Sequence, residues 1–147
     1  MSDKYELKLF EAAHSTITNA TQNRTEPLAT LAELPSTVGW AYVMTHLGKN
    51  LLQSEKQRLA ARGRLVLEIA AQKMQEAFDG NVHDLLFVYA EIPPLQVAAG
   101  DVVGAQRTAQ VIAPHLEAAA QAPENAIYHR NIEAVTASTA EVLQLTP

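Results

Sequence analysis

The sequence contains no cysteine and few aromatic residues, and both absences narrow the class of protein. Without cysteine the chain has no disulfide, no thiolate metal site and no cysteine nucleophile. Aromatic residues make up only 5% of the chain, whereas strands are rich in aromatic and β-branched side chains. Hydrophobic residues nevertheless reach 48%, with many alanines and leucines, and this composition favours helices.

Basic charge and long apolar runs are also scarce. The chain has 11 lysine and arginine residues against 16 aspartate and glutamate residues, a formal net charge of −5. Because nucleic-acid binding relies on a basic face, we expect no nucleic-acid partner. No segment approaches the roughly 18 consecutive apolar residues of a membrane span, and the first residues lack the apolar core of a signal peptide. We therefore expect a cytoplasmic protein with no membrane partner.

What is present is a helical pattern along most of the chain. Apolar residues recur every three or four positions, which is the spacing of an amphipathic helix. Turn and cap signals divide this pattern into about six or seven helices with short loops. The length of 147 residues suits one core. The sequence therefore predicts an all-α fold, a compact bundle, with residues 1–147 forming a single helical domain.

Prolines, glycines and capping residues predict where the first helices begin and end. The periodic residues indicate a helix over residues 4–22 and a short helix that ends before Pro35. Ser36 or Thr37 is expected to cap the next helix, which carries the only tryptophan of the chain. Gly48 is expected to end that helix.

The longest helix is expected to follow. Ser54 and Gln57 have the spacing of a capping box, which predicts a start between residues 50 and 54. The helix should run to Phe78, because Asp79-Gly80-Asn81 is a turn signal. Further along, Pro123 is expected to begin the last helix. Its inner face would consist of Ile127, Ile132, Val135, Thr139 and Val142.

Residues 85–113 predict a tight hairpin of two helices. Gly100 can adopt the left-handed conformation that ends a helix, and Asp101 can cap the amides of the helix that follows. The small side chains of Ala105 and Ala109 would let the second helix approach the first closely. The chain should therefore turn at Gly100-Asp101.

Two adjacent prolines interrupt the first helix of this hairpin. Pro94 has no amide hydrogen and its ring presses on the carbonyl of Ala90, so the helix must kink or restart there. A restart also accommodates Pro93. Either the interruption lets a bent helix wrap the bundle, or it directs backbone carbonyls into a cleft beside Tyr89 and Glu91.

The pattern over residues 85–113 resembles a single tetratricopeptide-type helical hairpin. Repeats of that family need at least about three copies to stack stably, so the resemblance implies one hairpin within a bundle. The residues that carry it are Ile92, Leu95 and Val97 on the first helix, Gly100 and Asp101 at the turn, and Ala105, Ala109 and Ile112 on the second helix.

No motif predicts catalysis or a cofactor. Glu11 and His14 form one Glu-x-x-His step, a spacing found in di-iron bundles, but such a site needs a second step and two further inward glutamates. His14 is better explained as a hydrogen-bonded residue at the border of an apolar face. We expect no catalytic, cofactor-binding or metal-binding residue.

The longest helix offers a candidate interaction surface. Leu65 and Ile69 fall outside its main apolar stripe and form a second strip, which either contacts neighbouring helices or faces a partner. Arg58, Arg62 and Lys73 share one side of the same helix, where they would form a solvated face or receive an acidic partner. The candidate surface consists of Arg58, Arg62, Leu65, Ile69 and Lys73.

Two functions are consistent with these patterns. The first is a protein-interaction or structural module without catalytic activity, which binds another protein or its own copy as a homodimer. The alternative is a small-molecule or metal-dependent enzyme. Its cleft would lie near Glu11, His14, Tyr89 and Glu91.

Overall fold

The structure is a computed structural model and describes residues 31–147. Within that range every regular element is helical, and six α-helices follow one another with short connections. The helix expected over residues 4–22, together with Glu11 and His14, lies outside the described residues. The α-helices are α1 (Val38–Leu52), α2 (Gln57–Ala77), α3 (Val82–Phe87), α4 (Ile92–Ala98), α5 (Val102–Gln121) and α6 (His129–Leu143), with 3₁₀ helices at Tyr89–Glu91 and Pro123–Tyr128.

Helices α1 and α2 cross closely at two glycines. A methyl group on Gly48 would lie 2.7 Å from Cγ of Leu67, and one on Gly63 would lie 2.9 Å from the carbonyl oxygen of Gly48. The expected end of α1 at Gly48 is wrong, since the helix continues to Leu52. Gly48 is needed for the close approach of the two backbones and not for a left-handed turn.

The ends of α1 and α2 partly follow the sequence signals. Thr37 caps α1 by accepting a hydrogen bond of 3.2 Å from the amide of Trp40. The start predicted for α2 is too early, because Ser54 accepts a hydrogen bond from the amide of Lys56 and the helix begins at Gln57. Ser54 therefore stabilises the turn between the two helices and caps neither of them.

The hairpin at Gly100-Asp101 has the predicted geometry. Gly100 has a φ of +80°, and its amide donates to the carbonyl of Val97 while the amide of Asp101 donates to that of Gln96. This pair of bonds is a Schellman motif. The Asp101 carboxylate accepts a 3.0 Å hydrogen bond from the amide of Gly104 and so caps α5.

The prolines mark a restart between α3 and α4. Helix α3 ends at Phe87, and Val88 leaves the helical region with a φ of −127° and a ψ of −64°. A 3₁₀ turn follows, and both prolines then lie in the first turn of α4, where an amide hydrogen has no helical partner to lose. Pro114, by contrast, lies inside the continuous helix α5.

The last helix begins later than expected. Pro123 starts a 3₁₀ helix, and α6 begins only at His129. Ile127 is therefore wrongly placed on the inner face, since its side chain is 80% exposed. Ile132, Thr139 and Val142 are buried as predicted.

Within residues 31–147, three apolar clusters hold the helices together. The largest joins all six helices around Tyr89 and Ile92, and the smallest packs Ala105 and Ala109 of α5 against Val142 of α6. We call the remaining one the tryptophan cluster, because Trp40 lies in it, between α1 and α2. Its buried members are Leu31, Trp40, Met44, Leu47, Leu51, Val66 and Ala70.

Candidate functional site

The candidate surface on α2 is divided in the structure. Arg58 is exposed, Arg62 is half-buried and Leu65 is 45% exposed. Ile69 instead packs against the tryptophan cluster. Leu65 is thus the more exposed of the two, and one exposed leucine is ordinary on a protein surface.

Lys73 lies in the interior and not on the solvated side where its spacing placed it. Its side chain is 4% exposed, and its ammonium donates hydrogen bonds to the carbonyl oxygens of Ala32, at 2.9 Å, and Leu34. Burial lowers the pKa of Lys73, and the nearby carboxylate of Glu76 opposes that shift. These hydrogen bonds hold the segment that precedes α1 against α2, so the role of Lys73 is structural.

Of the four residues expected near the cleft of the alternative enzyme, the structure describes Tyr89 and Glu91. Tyr89 and Glu91, two residues apart, line different cavities of the molecule. Glu11 and His14 lie outside the described residues. The two cavities are described in turn below.

The first cavity is an open groove of about 540 Å³ between α2, α4 and α5. We call it the polar groove. Its volume lies within the range of about 300–1,000 Å³ that is usual for small-molecule sites. Its lining consists of Arg64, Glu68, Ala71, Gln72, Gln75, Tyr89, Gln96, Asp101, Val103, Gly104, Arg107 and Thr108.

Gln96 is the most unusual residue of the polar groove. Its side chain is only 3% exposed, and its Oε1 has no hydrogen-bond partner among the described residues. Buried polar atoms are nearly always hydrogen-bonded, because an unmet hydrogen bond costs about 1–3 kcal/mol. Sequence reasoning missed Gln96, although its position was a signal. Gln96 lies four residues after Ile92, on the face of α4 that is otherwise apolar.

Replacing Gln96 should stabilise the protein. We expect Gln96→Met, which keeps the length of the side chain without its amide, to raise the free energy of unfolding by about 1 kcal/mol. Urea unfolding measures this change. Gln110→Met, at an exposed position of α5, is the matched control and should stay within about 0.5 kcal/mol of the unmodified protein. A destabilised Gln96→Met would show that the amide is satisfied.

The charges of the polar groove are only partly paired. Arg64 and Asp101 approach to 3.4 Å, and the Asp101 carboxylate also caps α5. Among the described residues, neither Arg107 nor Glu68 takes part in an ion pair. The groove therefore offers one cation from α5 and one anion from α2 to a bound molecule.

Tyr89 forms part of the inner wall of the polar groove. Its side chain is 1% exposed, and its ring packs edge-on against Phe78 with centroids 5.5 Å apart. Burial raises the pKa of its hydroxyl from 10.0 to about 12. Tyr89 is therefore neutral at physiological pH and offers a hydroxyl group, not a phenolate.

The raised pKa of Tyr89 predicts a loss of stability in alkali. The unfolded chain ionises this tyrosine from about pH 10 and the folded chain only near pH 12, so the free energy of unfolding should fall by about 2–3 kcal/mol across that window. The free energy of unfolding of Tyr89→Phe should not show this fall over the same pH range. Tyr42→Phe, at an exposed tyrosine, should retain it. Equal losses in all three proteins would contradict the assignment.

The second cavity, also about 540 Å³, lies between α1 and the α3 region. We call it the aromatic cleft. Two ring pairs border it: Tyr42 with His46, at a centroid distance of 4.5 Å, and His83 with Phe87, at 4.7 Å. The sequence patterns did not reveal this cleft, because its two walls come from helices some 40 residues apart. Its lining is Val38, Gly39, Tyr42, His46, His83, Asp84, Phe87, Val88 and Glu91.

These features define an all-α bundle whose described residues line the polar groove and the aromatic cleft. In residues 31–147 no three histidine, aspartate or glutamate side chains are grouped as metal ligands would be. No helix of that range has the length and hydropathy needed to cross a membrane. The chain matches no protein-family model, and no curated protein and no solved structure is significantly similar to it.

Proposed function

We propose that the chain is a protein-interaction module without catalytic activity, and that a basic segment of a partner protein docks in the aromatic cleft. The observation that carries this proposal is the exposure of two large rings beside one cavity. Tyr42 is 44% exposed and Phe87 is 36% exposed. Tyrosine and phenylalanine are enriched at the centres of protein interfaces, where burial of such rings supplies much of the binding energy.

Charge complementarity favours a basic partner segment. Asp84 and Glu91 place two carboxylates in the lining of the aromatic cleft, and no lysine or arginine of residues 31–147 accompanies them there. A lysine or arginine side chain could contact both a ring face and a carboxylate at this place. The net charge of −5 would also attract a basic segment at long range.

Local order also supports docking in the aromatic cleft. The ring pairs join residues four apart on α1 and on α3, so each histidine holds its aromatic neighbour in place on its helix. Rings that are already positioned lose less conformational entropy when a partner binds. The cleft is therefore suited to binding without rearrangement of the bundle.

Site-specific crosslinking tests this proposal. A photo-reactive phenylalanine analogue would replace Tyr42 in the full-length chain inside the cells that express it, and Tyr128 in a parallel experiment. We expect position 42, but not position 128, to crosslink to one protein through a peptide that contains lysine or arginine. Crosslinks only to the chain's own copy would contradict the proposed partner and indicate a homodimer.

The purified partner then allows a matched comparison of affinities. The double variant Tyr42→Ser with Phe87→Ser should weaken binding by about tenfold or more, since that factor corresponds to only 1.4 kcal/mol. Ile127→Ser, which also removes an exposed apolar side chain but lies outside the aromatic cleft, should not change the affinity. Equal affinities of the two variants would overturn the proposal. Circular dichroism verifies that both variants remain folded.

A further inference from the structure

We infer that the polar groove is a second binding site, which takes a small zwitterionic molecule of the α-amino acid or short-peptide class. The site is separate from the aromatic cleft, because the two cavities share no lining residue. The inference therefore does not depend on the proposed protein partner. It rests on one unsatisfied atom, one cation and one anion.

The unsatisfied atom specifies a hydrogen-bond donor. Oε1 of Gln96 accepts hydrogen bonds only, and no donor among residues 31–147 reaches it. A water molecule could donate to it, but a groove of about 540 Å³ has room for far more than one water of about 30 Å³. A ligand with an N–H group that fills the groove would satisfy Gln96 and displace several waters.

Arg107 and Glu68 form no ion pair with another described residue. Together they favour a ligand that carries both a carboxylate and an ammonium group. Arg107 presents a guanidinium, whose planar donors match the two oxygens of a carboxylate. Glu68 presents a carboxylate from a different helix of the same groove. A molecule with one group of each sign would neutralise both, whereas a purely anionic or cationic molecule would meet a like charge.

Other polar groups of the groove are compatible with an amide-containing ligand. Gln72 and Gln75 of α2 each carry both donors and an acceptor, as a peptide group requires. Asp101 is already engaged by Arg64 and by the amide of Gly104, so it is not the group that selects the ligand. This distribution assigns selectivity to Gln96, Arg107 and Glu68.

Nuclear magnetic resonance titration of the full-length chain tests the inference. The probes are the twenty free L-amino acids and a set of unblocked dipeptides. We expect at least one probe to shift the side-chain N–H signals of Gln96 and Arg107 together and saturably, with a Kd in the millimolar range or tighter. Binding by free amino acids alone, or by dipeptides alone, would identify the source of the zwitterion. Failure of every probe to shift both signals would overturn the inference.

Variants and a neutral probe test the assigned roles. Gln96→Met and Arg107→Met should each weaken binding of the best probe by about tenfold or more, an effect of 1.4 kcal/mol. Arg130→Met, at an exposed arginine outside the groove, should leave the affinity unchanged. The acetylated and amidated form of the same probe, which lacks both charges, should not bind. Equal binding of that form, or unchanged binding by either groove variant, would overturn the assignment of a zwitterion to this site.

Discussion

Ala109→Glu is expected to lower the free energy of unfolding by about 3–5 kcal/mol, among the largest effects of single substitutions. Ala109 is 0% exposed and packs with Ala105 and Val142 where α5 meets α6. A glutamate there would be too large for the contact and would bury a carboxylate without a partner. Thermal unfolding should show a decrease in Tm of roughly 10–16 °C.

The neighbouring position supplies the control for this substitution. Gln110→Glu introduces the same side chain one residue later, at an exposed site of α5, and should change the unfolding free energy by no more than about 0.5 kcal/mol. The difference between the two variants then measures burial and not helix propensity or added charge. Similar Tm values for both would mean that Ala109 does not lie at the contact between α5 and α6.

The hairpin between α4 and α5 could be predicted because its causes are local in sequence. Gly100 takes the left-handed conformation, and the Asp101 carboxylate reaches the amide of Gly104 three residues later. Both features depend on residue type and on a separation of a few positions. The restart at the prolines was predictable for the same reason, since Pro94 acts on a carbonyl only four residues back.

Features that depend on distant contacts were not predictable in this way. From the sequence alone Gly48 is expected to end a helix. In the structure its lack of a side chain instead leaves room for Leu67 of the neighbouring helix. Lys73 shares a side of α2 with arginines, but the carbonyl groups of Ala32 and Leu34 lie against it. Helical spacing shows which residues share a face, and it does not show which segment covers that face.

The candidate sites show the same division between local and distant causes. Tyr89 and Glu91 were singled out beside the prolines, but the other walls of their two cavities come from α2 and α5 in one case and from α1 and α3 in the other. Gln96 could be recognised as a polar residue on an apolar face. The lack of a described partner for its Oε1 could not be predicted, because it depends on all the residues that surround Gln96 in the folded protein.

The interrupted helix connects these observations. At this interruption Phe87 lines the aromatic cleft while Tyr89 lines the polar groove. Residues two apart on a helix also lie about 200° apart around the axis. One short segment therefore contributes side chains to two separate cavities.

Gly63→Ala is the second substitution for which we expect a large effect. The new methyl group would lie 2.9 Å from the carbonyl oxygen of Gly48 and 3.1 Å from the amide nitrogen of Leu52. Both are backbone atoms, so only a shift of α1 against α2 can relieve the contact. Overpacking of this kind costs about 1–3 kcal/mol, even though alanine favours the helix by up to about 1 kcal/mol over glycine. Urea unfolding should therefore show a net loss of stability.

Gly39→Ala provides a control with the opposite sign. Gly39 also lies in a helix, near the start of α1, but a methyl group there would meet no atom within 4 Å. The substitution should therefore stabilise the protein by up to about 1 kcal/mol through helix propensity alone. Stabilisation by both variants would contradict the close crossing of α1 and α2. Opposite signs would show that Gly63 is required by the approach of the two backbones, because both substitutions add the same methyl group to a helix.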